Sequence, residues 1–261
     1  KQKTAYEIGV RLVGSEMCIR DRILVVHETT QLRQMDSMRR DFISNLSHEL
    51  RTPVSVIKAN SETLLDGALD NEKDAKIFSK AILHNADRLS EMVTSLIDLS
   101  RIEYGDLKLN IKKVDLKTFI DEFTLSIESL TKKKDIEIIN KSNHEEFVKA
   151  DPQALERIMN NLVDNALKYS EKGSSIVIST IKENQHIKIM VSDNGIGISD
   201  EDKNHIFDRF YRTASARASD KQGSGLGLAI VKNLTNSLNG EVGVDSKDPN
   251  GSIFWFTLPI N

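Results

Sequence analysis

Eight positions between residues 75 and 99 repeat at alternating spacings of three and four without a break: Ala75, Phe78, Ile82, Asn85, Leu89, Met92, Leu96 and Leu99. This repeat predicts a helix with a coiled-coil seam, in which Asn85 is the one polar position. Because a single helical hairpin buries little surface, we expect two hairpins to associate as a four-helix bundle in a homodimer. The alternative is that the seam packs onto a second domain of the same chain.

The segment before the seam predicts another long helix, from Leu32 to Leu64. Its apolar positions also recur every three or four residues, at Phe42, Leu46, Leu50, Val54 and Ile57. The stretch LLDGALDN separates the two helices, with Gly67 as the expected C-cap of the first and Asp70 as the expected N-cap of the second.

After the stretch EYGDLKLN the pattern changes to short alternating runs, and we place a domain boundary near residues 104–112. Strands are expected at 136–139, 175–179, 186–192 and 252–258, and helices at 152–169 and 227–238. This mixture predicts an α+β domain with a mixed or antiparallel sheet.

Composition excludes several classes of protein. The net charge of -3 over 261 residues gives no sign of nucleic-acid binding. The longest apolar runs, such as ILVV at 23–26, are far shorter than the roughly 20 residues that span a bilayer, so no transmembrane segment is expected. The one cysteine, Cys18, excludes an internal disulfide.

His48 lies two residues from both Leu46 and Leu50, on the face opposite the apolar stripe of the first helix. Glu49 beside it can orient the imidazole or accept a proton, and Pro53 removes the backbone hydrogen bond to the Glu49 carbonyl. A zinc site is not expected, because the position four residues on is Thr52 rather than a second histidine. The simplest alternative is an ordinary surface histidine.

The helix expected at 152–169 carries polar side chains suited to a nucleotide. Asp151 as N-cap and Pro152 mark its start, and its buried face is predicted to hold Leu155, Ile158, Leu162 and Ala166. A neighbouring face carries Asn161, Asn165 and Lys168. An amide oxygen can complete a Mg²⁺ shell and a lysine can neutralise phosphate, although a polar helix face with a basic end is the alternative.

Three later segments add glycines or lack periodicity. The Asn-Gly pair in VSDNGIGI marks a turn, which an ordinary hairpin would also explain. The glycines of QGSGLGLAIVKN lead into a helix and free backbone amides to face phosphates, although the spacing is neither GxGxxG nor a Walker loop. Residues 213–222 are small, polar and aperiodic, as in a mobile lid or a disordered surface loop.

The stretch SHELRTP around His48 resembles the H box of bacterial two-component sensor histidine kinases. Taken with the PAS-like segment that begins at residue 23, the chain most resembles the PAS-containing phosphate-regulon and cell-wall types. The resemblance implies that the Nε2 atom of His48 attacks the γ-phosphate of ATP. It also implies that Glu49 acts as the base, and that Thr52 positions water for a reverse, phosphatase reaction.

The segment ADPQALERIMNNLVDNALKYS resembles the N box of the same family. The resemblance assigns Asn165 to Mg²⁺, and Lys168 and Tyr169 to the phosphates and base of ATP. Asn161 is expected as an additional contact.

VSDNGIGI and QGSGLGLAIVKN resemble the G1 and G2 boxes, which follow in the family's order. In the G1 box, Asp193 would accept a hydrogen bond from the adenine amino group, while Gly195 and Gly197 let backbone approach the nucleotide. The ATP-binding residues implied by the G2 box are Gly223, Gly225, Leu226 and Gly227. IFDRFYR resembles the F box, in which Phe207 and Phe210 would anchor the lid and Arg212 would reach a phosphate.

The resemblance as a whole implies a helical-hairpin dimerisation domain followed by an α/β-sandwich ATP-binding domain of the gyrase, Hsp90 and histidine kinase type. It implies ATP and Mg²⁺ as cofactors and autophosphorylation of His48. The phosphoryl group would pass to an aspartate of a response-regulator receiver domain, with phosphatase activity on the same regulator. Two rivals are an ATP-gated dimerisation module, which releases phosphate, and a catalytically silent ATP-binding scaffold.

Residues 1–22 can be encoded by DNA used in short-read sequencing, since Lys1 to Ile8 match a flow-cell adapter and Arg11 to Arg22 resemble a transposon end. We therefore expect a translated artefact rather than a genuine terminal extension. Residues 23–35 resemble the end of a truncated PAS-like sensor and a signalling helix. The expected domains are a dimerisation and phosphotransfer domain at 36–107 and a catalytic domain at 112–261. They would form a cytoplasmic portion whose membrane anchor lies in a missing upstream segment.

Overall fold

A helical hairpin opens the part of the chain that the computed structural model describes, which is residues 30–103, 107–142, 147–218, 223–247 and 250–260. Helix α1 spans Thr30–Leu65 with Pro53 inside it, and α2 spans Glu72–Glu103. The expectations for residues 1–29, including the adapter and the PAS-like strand, lie outside the described residues. None of the described helices combines the length and apolar character needed to cross a membrane.

The turn between the two helices corrects one prediction. Gly67 follows the end of α1 with a φ of 120°, as a glycine after a helix end can. Asp70, however, belongs to a short 3-10 turn, Ala68–Asp70, and does not cap α2. Asn71 caps α2 instead, because its Oδ1 accepts from the Lys73 backbone N–H at 3.0 Å and its carbonyl accepts from Ala75 at 2.9 Å.

The predicted seam of α2 lies on one face, and every position in it is buried or half-buried. Leu99 belongs to the main hydrophobic core, and Leu96 packs against that core. The lower seam therefore packs onto the chain's own second domain, as in the alternative considered above.

On α1, Val54 is 51% exposed rather than buried, while the adjacent Pro53 is buried.

The second domain is built on a five-stranded mixed sheet, which is one of the two sheet types that the sequence predicts. Its strands are β2 (Glu137–Lys141), β4 (Ser175–Glu183), β5 (His186–Ser192), β6 (Val242–Ser246) and β7 (Ser252–Pro259). They lie in the order β2-β4-β5-β7-β6, with β2 and β4 parallel and the other neighbours antiparallel. A separate antiparallel pair joins β1 (Lys112–Asp115) to β3 (Phe147–Ala150).

Three helices contribute their apolar faces to the core of this domain: α3 (Leu116–Lys134), α4 (Pro152–Tyr169) and α7 (Gly227–Ser237). The four residues predicted for the buried face of α4 are at most 1% exposed. Helix α3 is absent from the sequence predictions, although the Asp115 side chain caps it by accepting from the backbone N–H groups of Lys117 and Thr118. Burial on one face of a sheet and one stripe of each helix gives the expected two-layer architecture.

The hairpin is fastened to the second domain by charged and aromatic contacts. Asp98 and Glu103 of α2 form ion pairs with Arg157 and Arg209, respectively. The Phe42 ring of α1 lies 5.6 Å from the Phe210 ring, and the Arg209 guanidinium lies 5.3 Å from the Phe42 centroid. Aromatic and cation–π contacts of this kind stabilise the attachment beyond what the burial of apolar area contributes.

Candidate functional site

A cavity of about 980 Å³ lies between α2 and the second domain. Ten residues singled out from the sequence contribute to its lining: Asn161, Asn165, Lys168, Tyr169, Asp193, Gly197, Arg212, Gly223, Gly225 and Gly227. Segments far apart in the chain therefore meet around one space, which is large enough for a nucleotide-sized ligand.

Four other residues expected to bind ATP lie behind the lining. Leu226 is fully buried, and Phe207 and Phe210 are each 9% exposed, so all three act as core residues that hold the surrounding loops. Gly195 is packed so closely that an added Cβ would lie 2.9 Å from the Tyr169 carbonyl oxygen. The absence of a side chain at this position lets the turn after β5 pack against the end of α4.

Helix α4 supplies a polar wall. The Nδ2 group of Asn161 donates to the Arg157 carbonyl at 2.8 Å, which leaves its Oδ1 available. Within the described residues, the side chains of Asn165 and Lys168 form no hydrogen bond or ion pair, although both residues line the cavity. An amide oxygen and an ammonium group without protein partners are well suited to a hard cation and a phosphate.

Asp193 is a buried carboxylate at the end of β5. Its Oδ1 accepts from the backbone N–H groups of Gly195 at 2.8 Å and Ser252 at 3.2 Å. Burial raises the pKa of Asp193, although those two N–H groups and the nearby charge of Lys247 act in the opposite direction. Both backbone bonds reach the same oxygen, so Oδ2 remains available to a hydrogen-bond donor in the cavity.

The glycine segment before α7 is held against the F-box segment. Gly225 has a φ of 70°, and its carbonyl accepts from the Phe210 backbone N–H at 2.9 Å. An added Cβ at Gly225 would lie 2.7 Å from the Phe210 Cα. Helix α7 starts two residues later, at Gly227, so the N-terminus of an eleven-residue helix lies at the cavity. Such termini favour anionic groups.

This geometry predicts a difference between two neighbouring glycines. We expect Gly225→Ala to lower the free energy of unfolding by about 2 kcal/mol or more, because it combines a positive φ with a backbone clash. Gly223→Ala is the matched control, since an added Cβ there meets nothing within 4 Å. Urea unfolding measures both changes, and equal losses would contradict the prediction.

The segment predicted as an aperiodic lid is partly helical. Helix α6 spans Ala214–Ala218, and a short helical turn, α5 (Asp200–Lys203), precedes the F-box segment. Arg212 lines the cavity, but its Nη2 also donates to the Ala216 carbonyl at 2.6 Å, which braces α6. The remaining lid positions, 219–222, lie outside the described residues.

His48 is exposed on the outer face of α1, as its position opposite the apolar stripe predicts. It does not line the cavity. The Thr52 hydroxyl donates to the His48 backbone carbonyl at 3.3 Å. Glu49 is half-buried, and its Oε2 accepts from Arg88 Nη2 of α2 at 3.1 Å.

Sequence reasoning missed the contribution of α2 to the cavity, where Arg88, Asp87 and Glu91 join the lining. These residues lie beside the seam, so the repeat alone marks them as solvent-facing. It also missed Lys247, whose Nζ donates to the Asp193 carbonyl at 3.2 Å. Neither role has a local signal, because both depend on segments that are distant in the chain.

The arrangement of the cavity and the hairpin defines a class of protein. Residues 150–261 match the model of the histidine kinase-, DNA gyrase B- and HSP90-like ATPases. Residues 38–105 match the model of the His Kinase A phospho-acceptor domain. The class is therefore an ATPase domain of this type that follows a phosphoacceptor-type hairpin.

Individual relatives agree with that class. The chain is 38% identical over 245 residues to the sensor-like histidine kinase SenX3 of Mycobacterium tuberculosis, covering 94% of this chain and 60% of SenX3. The histidine kinase AdeS of Acinetobacter baumannii has a similar structure, with a TM-score of 0.67, 27% identity and coverage of 82% of this chain and 98% of AdeS. The mycobacterial sensor histidine kinase MprB gives a TM-score of 0.50 and 30% identity, over 57% of this chain and 97% of MprB.

The chain belongs to the sensor histidine kinase family. It spans 60% of the length of SenX3.

Proposed function

We propose that this chain is the core of a protein histidine kinase, which phosphorylates His48 from ATP and passes the phosphoryl group to an aspartate of a response-regulator receiver domain. One combination of features carries the proposal. An exposed histidine with an adjacent acid lies on a helical hairpin, and the same chain has a nucleotide-sized cavity that contains a buried carboxylate. Membership of the sensor histidine kinase family supports the same reaction.

In the proposed reaction, the lone pair on His48 Nε2 forms a bond to the γ-phosphorus of ATP. The bond from that phosphorus to the β–γ bridging oxygen breaks, and ADP leaves with the electron pair. The phosphorylated ring gives its Nδ1 proton to the Glu49 carboxylate. Attack by a receiver aspartate on the phosphorus then regenerates the neutral histidine, once the ring has recovered its proton.

The cavity residues suit ATP in separable ways. The Asp193 carboxylate would accept a hydrogen bond from the adenine amino group, and Tyr169 would contact the base. Lys168, Arg212 and the N-terminus of α7 neutralise phosphate charge. Thr52 would hold a water for dephosphorylation of the regulator, and the regulator would dock on the lower part of the helical bundle.

Asn165 fits a Mg²⁺ ligand, because its amide lines the cavity and has no partner within the described residues. Bound Mg²⁺ would offset the charge of the phosphates during transfer. We expect Asn165→Ala to lose most of the Mg²⁺-dependent part of ATP affinity, about tenfold, while affinity in EDTA stays unchanged.

Calorimetric titration with and without Mg²⁺ measures this difference. Asn233→Ala on α7 is the control, because the Asn233 amide donates to the Ala229 carbonyl at 3.0 Å and does not line the cavity. If the Asn165→Ala protein keeps the full increase in ATP affinity that Mg²⁺ causes, Asn165 is not a Mg²⁺ ligand.

A homodimer is supported by an exposed apolar stripe on α2, next to the seam. Leu83 is 61% exposed, and Val93 and Ile97 are each 48% exposed, at spacings that keep all three on one side of the helix. Exposed apolar stripes on long helices are typical of helical bundles completed by a second chain.

We expect the double variant Leu83→Glu, Ile97→Glu to sediment as a monomer under conditions where the unaltered protein is a dimer. Ile181→Glu on β4 is the control, because Ile181 is 48% exposed but lies in the other domain. Analytical ultracentrifugation separates the outcomes, and a double variant that remains dimeric would place the interface elsewhere. Membrane anchoring of the whole protein remains a prediction.

The decisive test of the function is incubation with γ-labelled ATP and Mg²⁺, followed by treatment with acid and with base. A kinase of this type gains a label that base leaves intact and acid removes. An ATP-gated dimerisation module would release phosphate without retaining label, and a silent scaffold would do neither.

A further inference from the structure

The ion pair between α1 and α2 connects the acid next to His48 to the wall of the nucleotide cavity. Arg88 Nη2 lies 3.1 Å from Glu49 Oε2, and the Arg88 side chain is 17% exposed. Arg88 is the one lysine or arginine that α2 contributes to the described cavity lining. A mostly buried guanidinium of this kind holds a carboxylate in a defined direction more firmly than an exposed pair does.

Glu49 needs such a restraint for the chemistry assigned to it. It directly follows His48 on the helix, so the two side chains leave the helix about 100° apart. Its flexible side chain has to fold back to reach the ring, and an unrestrained carboxylate would sample many rotamers. In the structure Arg88 holds Oε2, and Oε1 has no hydrogen bond within the described residues. One oxygen is thus fixed to α2 and the other is left for the imidazole.

We propose that Arg88 is a positioning residue for phosphorylation of His48, which acts by holding the Glu49 carboxylate so that its free oxygen can take the Nδ1 proton. This inference rests on the proposed histidine kinase function. In this proposal the effect of Arg88 on the reaction passes through Glu49. The Nε–H of Arg88 is buried without a hydrogen-bond partner in the described structure, so the contact to Glu49 is the polar interaction that orients the guanidinium.

The test compares Arg88→Met and Arg88→Lys with Arg101→Met. Arg101 lies on the same helix but is exposed and does not line the cavity. At saturating ATP, we expect the single-turnover rate of His48 labelling to fall about 10- to 100-fold in Arg88→Met, because a base that is out of place loses most of its effect. The Arg88→Lys protein should recover part of that rate, while its ATP dissociation constant and that of Arg88→Met stay within about threefold of the unaltered value.

A double variant separates positioning from a purely structural role. In a Glu49→Gln background, Arg88→Met should cause almost no further loss of rate, because the residue it orients no longer acts as a base. Additive losses would overturn the inference, as would a rate equal to that of Arg101→Met. A rise in the ATP dissociation constant that accounts for the whole effect would instead make Arg88 a phosphate ligand. Failure of the unaltered protein to label His48 would reject the proposed function itself, which is a different result.

Discussion

A His48→Gln protein will acquire no acid-labile phosphate from γ-labelled ATP, although it binds ATP as tightly as the unaltered chain. Glutamine is close to histidine in size but has no nitrogen lone pair able to attack phosphorus. His48 is exposed on α1 and does not line the cavity, so its replacement leaves the nucleotide contacts untouched. We therefore expect complete loss of labelling at every ATP concentration, with an unchanged calorimetric dissociation constant.

His84 provides the control for this experiment. It is another exposed histidine of the hairpin, but it lies on α2 and lines the cavity. A His84→Gln protein should still be labelled, and the label should be base-stable and acid-sensitive. Retention of label in His48→Gln would move the phosphoacceptor to another residue and overturn the central assignment.

Replacement of Asp193 by Asn should lower ATP affinity about 100-fold without destabilising the ligand-free protein. The Oδ1 of asparagine can still accept from Gly195 and Ser252, which then turns the Nδ2 donor toward the adenine amino group. The Nδ2 group and the adenine amino group are both donors, so the hydrogen bond that the carboxylate accepted is lost. A hydrogen bond to a charged group contributes about 1.5–3 kcal/mol, which agrees with a loss of affinity of about 100-fold. Isothermal titration measures the loss, and Asp164→Asn, an exposed change in the same cavity wall, is the control.

The raised pKa of Asp193 adds a pH dependence with a defined sign. Because burial raises this pKa in the folded state, the folded protein takes up a proton before the unfolded chain does as the pH falls. The destabilisation caused by the buried charge is thus complete at neutral pH and is lost on acidification. Because asparagine carries no charge, the Asp193→Asn protein should be more stable than the unaltered protein at neutral pH. We expect this advantage to shrink as the pH falls through the raised pKa, and the ATP affinity of the unaltered protein to weaken over the same interval. A stability difference that grows on acidification would contradict this.

Local patterns predicted the elements that carry strong periodicity or caps. Helix α4 begins and ends at the expected residues. Its start was predictable because Asp151 caps it and Pro152 follows. Strand β5 likewise matches its alternating run. The exposed position of His48 follows from the same geometry, since two apolar neighbours define which face of the helix is buried. The short strands β1, β3 and β6 escaped prediction because four or five residues carry too little alternation to stand out.

The site was predictable only where a residue's chemistry and its local motif coincide. Asn165, Lys168 and Asp193 line the cavity, and Leu226 packs beneath it. Phe207 and Phe210 also pack beneath it, which is compatible with the lid-anchoring role that the resemblance implies. A motif identifies a stretch of sequence, but it does not tell which of its side chains face the cavity. The ion pair of Arg88 with Glu49 joins positions 39 residues apart, and no spacing rule along the chain reaches that far.

The attachment of the hairpin to the second domain has a consequence for control. With Asp98 and Glu103 paired to arginines and Phe42 against Phe210, the imidazole of His48 stays outside the cavity. If the chain phosphorylates His48 as proposed, these contacts would have to separate first, and their combined strength would set the rate of transfer in the resting protein. Phe42 lies in α1, and Phe210 precedes the lid segment by a few residues. A slight rotation of α1 would weaken the contact between the two rings and so make the hairpin easier to detach. The rate of transfer could then be changed without any ligand entering the nucleotide cavity.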